Sequence, residues 1–233
     1  MNYAQYFNFR QVTPDHYADY TLQPYLAELF GNNTELNILD FGCGFGQVLR
    51  ALRNQGFKHA DGLDIEPEAL SYCRDQGLSC FDGAEDGEFY ENHKGAYDYI
   101  ILSHVLEHFP KEAMITQLQK IKTLLKAGGG LIVAVPNAQS NTGSYWRYED
   151  FTHHYLFTSG SLYFVLRAAG FDEVRFLDID CTAGASWLKL IVKKVFLPIY
   201  VTNYRFWNKV TTSSIHAPSP MIFSYEIKAL ARN

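Results

Sequence analysis

Two groups of residues have types and spacing that suit chemistry. In the first, an acid and three glycines run Asp40-Phe41-Gly42-Cys43-Gly44-Phe45-Gly46, and a second acid, Asp64, follows 18 residues after the last glycine. Glycine has no Cβ, so the backbone can turn sharply there and approach a ligand closely. A helix that opens after such a turn aims unpaired backbone N–H groups at the same spot. A carboxylate at the position of Asp64 can accept both hydroxyl hydrogens of a ribose. Asp40 would repel a pyrophosphate but suits a cationic ligand. The second group is a polar and aromatic run, residues 138–158. It holds Tyr145, Trp146, Arg147, Tyr148, Glu149, Asp150, His153, His154 and Tyr155 within eleven positions. Histidine is the side chain whose ordinary pKa lies near neutrality, so it suits removal of a proton from a hydroxyl.

The elements that must hold these groups alternate along the chain. Short apolar runs at 36–42, 59–65, 78–83, 97–105, 131–137 and 172–180 read as strands, and a last strand follows residue 221. Helical patterns fill 46–55, 67–77, 111–130 and 161–171. Strands joined by helices pair in parallel through right-handed crossovers. The expected fold is therefore α/β, a Rossmann-like doubly wound, mostly parallel seven-stranded sheet with helices on both faces. In such a sheet ligands bind at the carboxyl ends of the strands, where the strand order reverses.

Composition agrees with one globular unit. The chain has 233 residues, 47% hydrophobic and 19% charged, with a formal net charge of −5. These values exclude a disordered chain, a coiled coil or a collagen-like repeat. The acidic balance argues against a nucleic-acid partner. No apolar run has the length of a membrane span and the N-terminus has no signal-peptide pattern, so a cytoplasmic protein is expected. Cys43, Cys73, Cys80 and Cys181 show neither CxxC pairing nor zinc-finger spacing, which points to reduced thiols and no metal. The organisation reads as a single domain: a lid or cover at 1–35, a cofactor-binding core at 36–180, a basic aromatic insertion at 181–220 and the last strand at 221–233.

The motif LDFGCGFG at 39–46 resembles the first motif of the class I S-adenosylmethionine-dependent methyltransferases. The similarity continues in order through GLDIEPEAL (62–70), FDGAED (81–86), YDYIILSHVLEHF (97–109), LLKAGGGLIVAVPN (124–137) and FTSGSLYFVLRAAGF (157–171). The spacing GxGxG, with Asp40 before it, departs from the GxGxxG of dinucleotide enzymes. The resemblance implies S-adenosyl-L-methionine as cofactor and assigns roles by position. Gly42, Cys43 and Gly44 would hold its amino-acid part through backbone atoms, and Asp40 and Gly46 would also bind the cofactor. Asp64 would take the ribose and Ile65 would pack on the adenine. Asp82 and Gly83 would meet the adenine edge, with Glu85 as the alternate. Ser103 and His104 would lie near the transferred methyl. Glu107-His108 would be a structural turn that holds the next helix. The N-terminal segment, with Tyr3, Tyr6, Phe7, Phe9, Arg10, His16 and Tyr17, would be a lid or an edge cover.

In this class the acceptor site is usually built on the connection after the fifth strand, here residues 138–158. His153 is the expected general base, oriented or kept basic by Asp150. His154 and His104 are the alternates. His153 could instead fasten the loop to the sheet, with Asp150 capping a turn, and a metal site of Asp150, His153 and His154 is also conceivable. Tyr145, Trp146, Arg147 and Tyr148 suit the apolar faces and hydroxyl edges of a sugar. The loop composition resembles bacterial sugar and polysaccharide-biosynthesis methyltransferases, which implies methyl transfer to an oxygen of a carbohydrate or phosphorylated sugar. A small-metabolite O- or N-methyltransferase and a non-catalytic cofactor-binding protein remain as alternatives. A last feature stands apart. From Cys181 to Tyr225 there is no Asp or Glu, while Lys189, Lys193, Lys194, Arg205 and Lys209 make the stretch basic. Within it SWLKLIVKKVF reads as an amphipathic helix interrupted by Pro198, a pocket cover, a homodimer face or a peripheral membrane contact through 186–209.

Overall fold

Alternating side chains on the central strands must be buried on both faces, and this decides the layering. The computed structural model describes residues 5–84, 86–180, 182–216 and 218–233; Tyr3, Glu85 and Cys181 lie outside the described residues. Seven strands form one sheet: β1 (Asn37–Phe41), β2 (His59–Asp64), β3 (Ser79–Asp82), β4 (Tyr97–Ser103), β5 (Leu125–Pro136), β6 (Glu173–Leu177) and β7 (Glu226–Arg232). Their order is β3-β2-β1-β4-β5-β7-β6. All neighbours pair in parallel except β7, which runs antiparallel to β5 and β6. The order reverses between β1 and β4, so the expected doubly wound, mostly parallel sheet is present.

The helices are α1 (Tyr6–Phe9), α2 (Pro24–Phe30), α3 (Gln47–Asn54), α4 (Pro67–Asp75), α5 (Asp86–Asn92), α6 (Met114–Thr123), α7 (Gly143–Glu149), α8 (Ser159–Ala168) and α9 (Trp187–Val210). Successive strand residues point to opposite faces. Leu39, Ile100, Leu102, Leu131 and Val133 therefore enter one core with Leu118 and Ile121 of α6 and Leu162 and Leu166 of α8. Their neighbours Ile38, Ile101 and Ile132 enter the other, with Leu26 and Phe30 of α2 and Val48 and Leu52 of α3.

Three local expectations change. The helix expected over 111–130 ends at Thr123, and residues 125–130 begin β5 instead. The three glycines weaken a helix, and a Cβ at Gly129 would come within 3.0–3.1 Å of the carbonyl oxygens of Lys126, Asp98 and Tyr97. Pro198 does not interrupt its helix. α9 runs through it for 24 residues, giving up the single hydrogen bond that proline cannot donate. The polar run at 138–158 contains a helix of its own, α7.

The floor of the glycine loop is packed to its limit. Gly62 of β2 faces the loop, and a Cβ there would lie 2.6 Å from Cys43 Sγ and 2.8 Å from Leu49 Cδ1. Substitution Gly62→Ala should therefore cost about 1–3 kcal/mol by overpacking. The thermal midpoint then falls by several degrees, at roughly 2–4 °C per kcal/mol for a chain of this size. Differential scanning fluorimetry checks it; an unchanged midpoint would show that the loop yields.

Candidate active site

The carboxyl end of β1 leads into a turn that only glycine takes without strain. Gly42, Gly44 and Gly46 have φ of +81°, +50° and +70°, in the left-handed region. The turn is tied to β2, because the N–H groups of Gly42 and Cys43 both donate to the carbonyl of Leu63, at 2.7 and 3.1 Å. Asp64 completes the tie. Its Oδ2 accepts from Gly44 N–H at 2.7 Å, and its Oδ1 accepts from the N–H groups of Ile65 and Glu66 at 2.8 and 2.9 Å. Burial raises its pKa although these hydrogen bonds oppose the shift. Asp64 keeps accepting capacity on Oδ2 for a further donor.

These strand ends floor a cavity of about 720 Å³. Its wall includes Gly42, Gly44, Asp64, Ile65, Gly83, Ser103, His104, Trp146, Asp150 and His153, so the structure brings both chemical groups of the sequence together. Tyr6, Phe7, Arg10 and Tyr17 of the N-terminal segment also line it. Several anticipated residues lie elsewhere. Asp82 caps a turn through Ala84 N–H at 2.9 Å and is not on the cavity wall. Cys43 and Gly46 lie outside the wall, and the thiol of Cys43 is buried against Cys73 and Leu49. His154 is exposed, with its N–H bound to the carbonyl of Glu107. Arg147 turns its guanidinium to the carbonyl of His153, and Tyr145 and Tyr148 stand at the surface.

Asp40 is behind the wall, 2% exposed, and its Oδ2 has no hydrogen-bond partner. Burial, with the Asp64 carboxylate beside it, raises its pKa to about 8. Glu66, which the sequence reading overlooked, does line the cavity, and its Oε2 has no hydrogen-bond partner either. Of the two, Glu66 faces the cavity, and its unmatched oxygen beside a backbone turn fits a ligand that brings hydroxyl donors.

At the other end of the cavity the polar groups interlock. Asp150 accepts from Tyr6 OH at 2.6 Å and from Thr152 N–H and Oγ1–H at 3.0 and 2.6 Å, and it pairs with Arg10. Burial works against its charge, yet these donors hold its pKa at about 2. It does not orient His153 by a hydrogen bond, because His153 Nε2 is 3.7 Å from it. The carbonyl of Trp146 does that instead, 2.7 Å from His153 Nδ1. A carbonyl can only accept, so the proton of the neutral ring is on Nδ1 and Nε2 keeps its lone pair. That lone pair has two carboxylates near it, Asp150 and Glu107, the latter at 3.9 Å.

Glu107 is fully buried and neither of its oxygens receives a hydrogen bond. The Glu107-His108 pair sits in a short turn, Leu106–His108, and His108 also lines the cavity, its Nδ1 held by Thr152 at 2.8 Å, with burial lowering its pKa. His104 has φ +56° at the end of β4 and bridges two carboxylates, Glu107 at 3.4 Å and Glu226 at 3.0 Å. Desolvation would lower its pKa, but the two carboxylates outweigh it and raise it to about 10. It is a cation at neutral pH, so it donates hydrogen bonds and does not serve as a base there. Glu226, from the last strand, also pairs with Lys228 at 3.0 Å, and Lys228 with Asp178 at 3.0 Å. No local motif marks Glu226; only the antiparallel return of β7 places it at the cavity.

Among the described residues two sets of side chains could hold a metal ion by donor type. Glu107, His108 and His153 bring one oxygen and two nitrogens within 4.8 Å of one another, whereas Asp150, His153 and His154 do not converge. Cys43, Cys73 and Cys80 converge equally closely, although no sequence spacing groups them.

Comparisons with known proteins agree with this geometry. Residues 15–175 match the protein family described as methyltransferase domain. A ubiquinone biosynthesis O-methyltransferase of Sodalis glossinidius is 30% identical over 132 residues, covering 54% of this chain and 52% of that protein. A ribosomal protein L11 methyltransferase of Thiobacillus denitrificans is 32% identical over 108 residues, covering 46% of this chain and 34% of the relative. The chain thus spans about half or less of the length of these relatives, and neither bears the sugar or polysaccharide name that the loop composition implied. A SAM-dependent methyltransferase structure from Archaeoglobus fulgidus superposes with a TM-score of 0.65 at 18% identity, covering 98% of this chain and 99% of the other. That likeness is one of fold.

The raised Asp40 pKa has a measurable consequence. Between the ordinary carboxylate pKa and about 8 the unfolded chain is ionised while the native Asp40 is protonated. The native state then binds more protons, so stability falls as pH rises through this window. The thermal midpoint of the ligand-free protein should decline from pH 5 to 9, and Asp40→Asn should flatten the decline. An equal slope in the variant would move the effect to another group.

Proposed function

The chain belongs to the methyltransferase-domain family, and we propose that it transfers a methyl group from S-adenosylmethionine to a hydroxyl oxygen of a small acceptor with a flat, largely apolar ring. One observation carries this reading: a single cavity joins the glycine turn and Asp64 at one end to the Nε2 lone pair of His153 at the other. The names of the relatives from ubiquinone biosynthesis support an oxygen acceptor.

When bound, S-adenosylmethionine supplies an electrophilic methyl carbon on a sulfonium. The chain does the rest. Asp64 and Glu66 accept the ribose hydroxyls, Ile65 packs on the adenine, and the turn at Gly42 and Gly44 holds the amino-acid end. Asp40 lies behind that end, protonated in the ligand-free protein. Tyr6 and Phe7 cover the cavity and keep water from the reacting atoms. Trp146 offers its ring to the acceptor, which must be held about 3 Å from the methyl carbon and in line with the bond that breaks. His153 Nε2 would take the proton of the acceptor hydroxyl as the methyl group is transferred. The imidazolium that forms is stabilised by Asp150 and Glu107. His104, already protonated, fixes the Glu107 and Glu226 carboxylates at the cavity wall.

A sugar hydroxyl is the second reading. Tyr145 and Tyr148 on the outer side of the loop, 55% and 79% exposed, present ring faces of the kind that stack on pyranose rings.

Product formation decides between them. The protein is incubated with S-adenosylmethionine and separate panels of catechols and phenols, nucleotide sugars and free glycans, and methyl addition is followed by mass spectrometry. Methylation of the phenolic panel is expected; methylation of the sugars alone would establish the second reading, and none in any panel would remove both. His153→Ala should keep cofactor affinity by calorimetry while turnover falls about 10²-fold or more. Unchanged turnover would remove His153 as the base.

A further inference from the structure

α9 is a long helix with no buried residue. At about 100° per residue its positions divide into three strips. One strip faces the body of the protein: Tyr200 and Tyr204 pack on Phe223 with ring centroids 5.2 and 4.9 Å apart, and Tyr200 OH donates to Asn141 Oδ1 at 2.8 Å. The opposite strip faces outward and is apolar apart from Thr202. Leu188, Ile191, Val195, Ile199, Phe206 and Val210 fall on it, each between 51% and 59% exposed. Lys194, Arg205 and Lys209 run along one border of this strip, and Lys189 and Trp207 along the other. α9 contributes nothing to the cavity wall, so it is not a cover over the pocket.

An apolar ridge of this size in water carries a large solvation cost, and soluble proteins rarely keep one without a function. Its borders identify what covers it. The 45 residues from 181 to 225 contain no acid. A second copy of the chain laid against this face would bring basic borders together with no carboxylate in the stretch to offset them. An anionic lipid surface offers both an apolar interior for the ridge and negative headgroups for its borders. The helix does not cross the bilayer: among the described residues no helix is long and apolar enough to do so. We propose that α9 lies in the plane of an anionic membrane surface, its Leu188–Val210 ridge in the acyl boundary and its basic borders on the phosphates. The Tyr200–Asn141 hydrogen bond then holds the cavity loop beside the bilayer.

The test uses the full chain, with and without S-adenosylmethionine, and sedimentation with vesicles of phosphatidylcholine alone or with about one third phosphatidylglycerol. Binding to the anionic vesicles should exceed binding to neutral ones by at least tenfold and weaken with salt. The triple variant Ile191→Glu, Val195→Glu, Ile199→Glu changes exposed positions only, so its circular dichroism and melting should match the parent while vesicle binding is lost. Lys194→Ala, Arg205→Ala and Lys209→Ala should each weaken binding roughly fivefold. Absence of binding to anionic vesicles, or equal binding to neutral ones, would overturn the proposal. So would a dimer in light scattering that the triple variant dissolves, because a second copy would then be the cover. The readout is sedimentation, so it does not depend on the acceptor assignment.

Discussion

The carboxylate of Asp64 is the constraint from which the site follows. It receives three backbone N–H groups, from Gly44, Ile65 and Glu66. Two of these come from its own strand end, and one comes from the turn after the neighbouring strand. A single side chain thereby fixes the relative position of the ends of β1 and β2, beside the point where the strand order reverses. Charged acceptors make stronger hydrogen bonds than neutral ones, and burial sharpens both the gain from meeting them and the cost of losing them. The turn can take this geometry because its glycines tolerate positive φ, and because Gly42 leaves room for Val105, whose Cγ2 would be 2.4 Å from a Cβ there. Helix α3 then starts where the turn ends.

At the far end of the cavity the same physics works through more partners. Asp150, Glu107 and Glu226 are acids withdrawn from water, and each is met differently. Asp150 is saturated by Tyr6, Thr152 and Arg10, Glu226 by His104 and Lys228, and Glu107 is met by His104 at 3.4 Å and His153 at 3.9 Å. The result separates three histidines of similar ordinary pKa. His104 is driven to hold its proton and His108 to release it. His153 is given a defined tautomer by a backbone carbonyl. Acid–base roles are thus set by the surroundings of each ring, carboxylates for His104, burial for His108 and a backbone carbonyl for His153, not by the residue type.

The sheet separates two kinds of surface. Its faces are covered by α2 and α3 on one side and α6 and α8 on the other, and its carboxyl edge holds the cavity. The insertion between β6 and β7 belongs to neither. It carries its charge of one sign and its apolar ridge outward; α9 packs on Phe223 through Tyr200 and Tyr204, and Ile222 enters the core. The acidic balance of the whole chain conceals this, because the basic charges lie in one segment.

The fold was largely legible in the sequence. The central strands announce themselves as continuous apolar runs because both faces are buried, and the alternation of strand and helix implies parallel pairing. The glycine turn and Asp64 were legible for a similar reason: the constraint on each residue is local, a positive φ or a strand end. The segment 124–130 misled because its glycines end a helical pattern and open a strand equally well, and the ladder to β4 decides between them. The acceptor end was legible only in composition. His153 stood out by type, but its partner on Nδ1 is a backbone carbonyl, which carries no sequence signal. Glu226 comes from a strand 122 residues away from His104. Cys43, Cys73 and Cys80 likewise meet without any spacing rule. The sequence by itself determined the sheet, the turn and the chemical types available, since these depend on period and on backbone preference. Only the tertiary structure decided which nitrogen keeps a lone pair and which histidine keeps a proton, because those depend on electrostatic contacts between residues far apart in the chain.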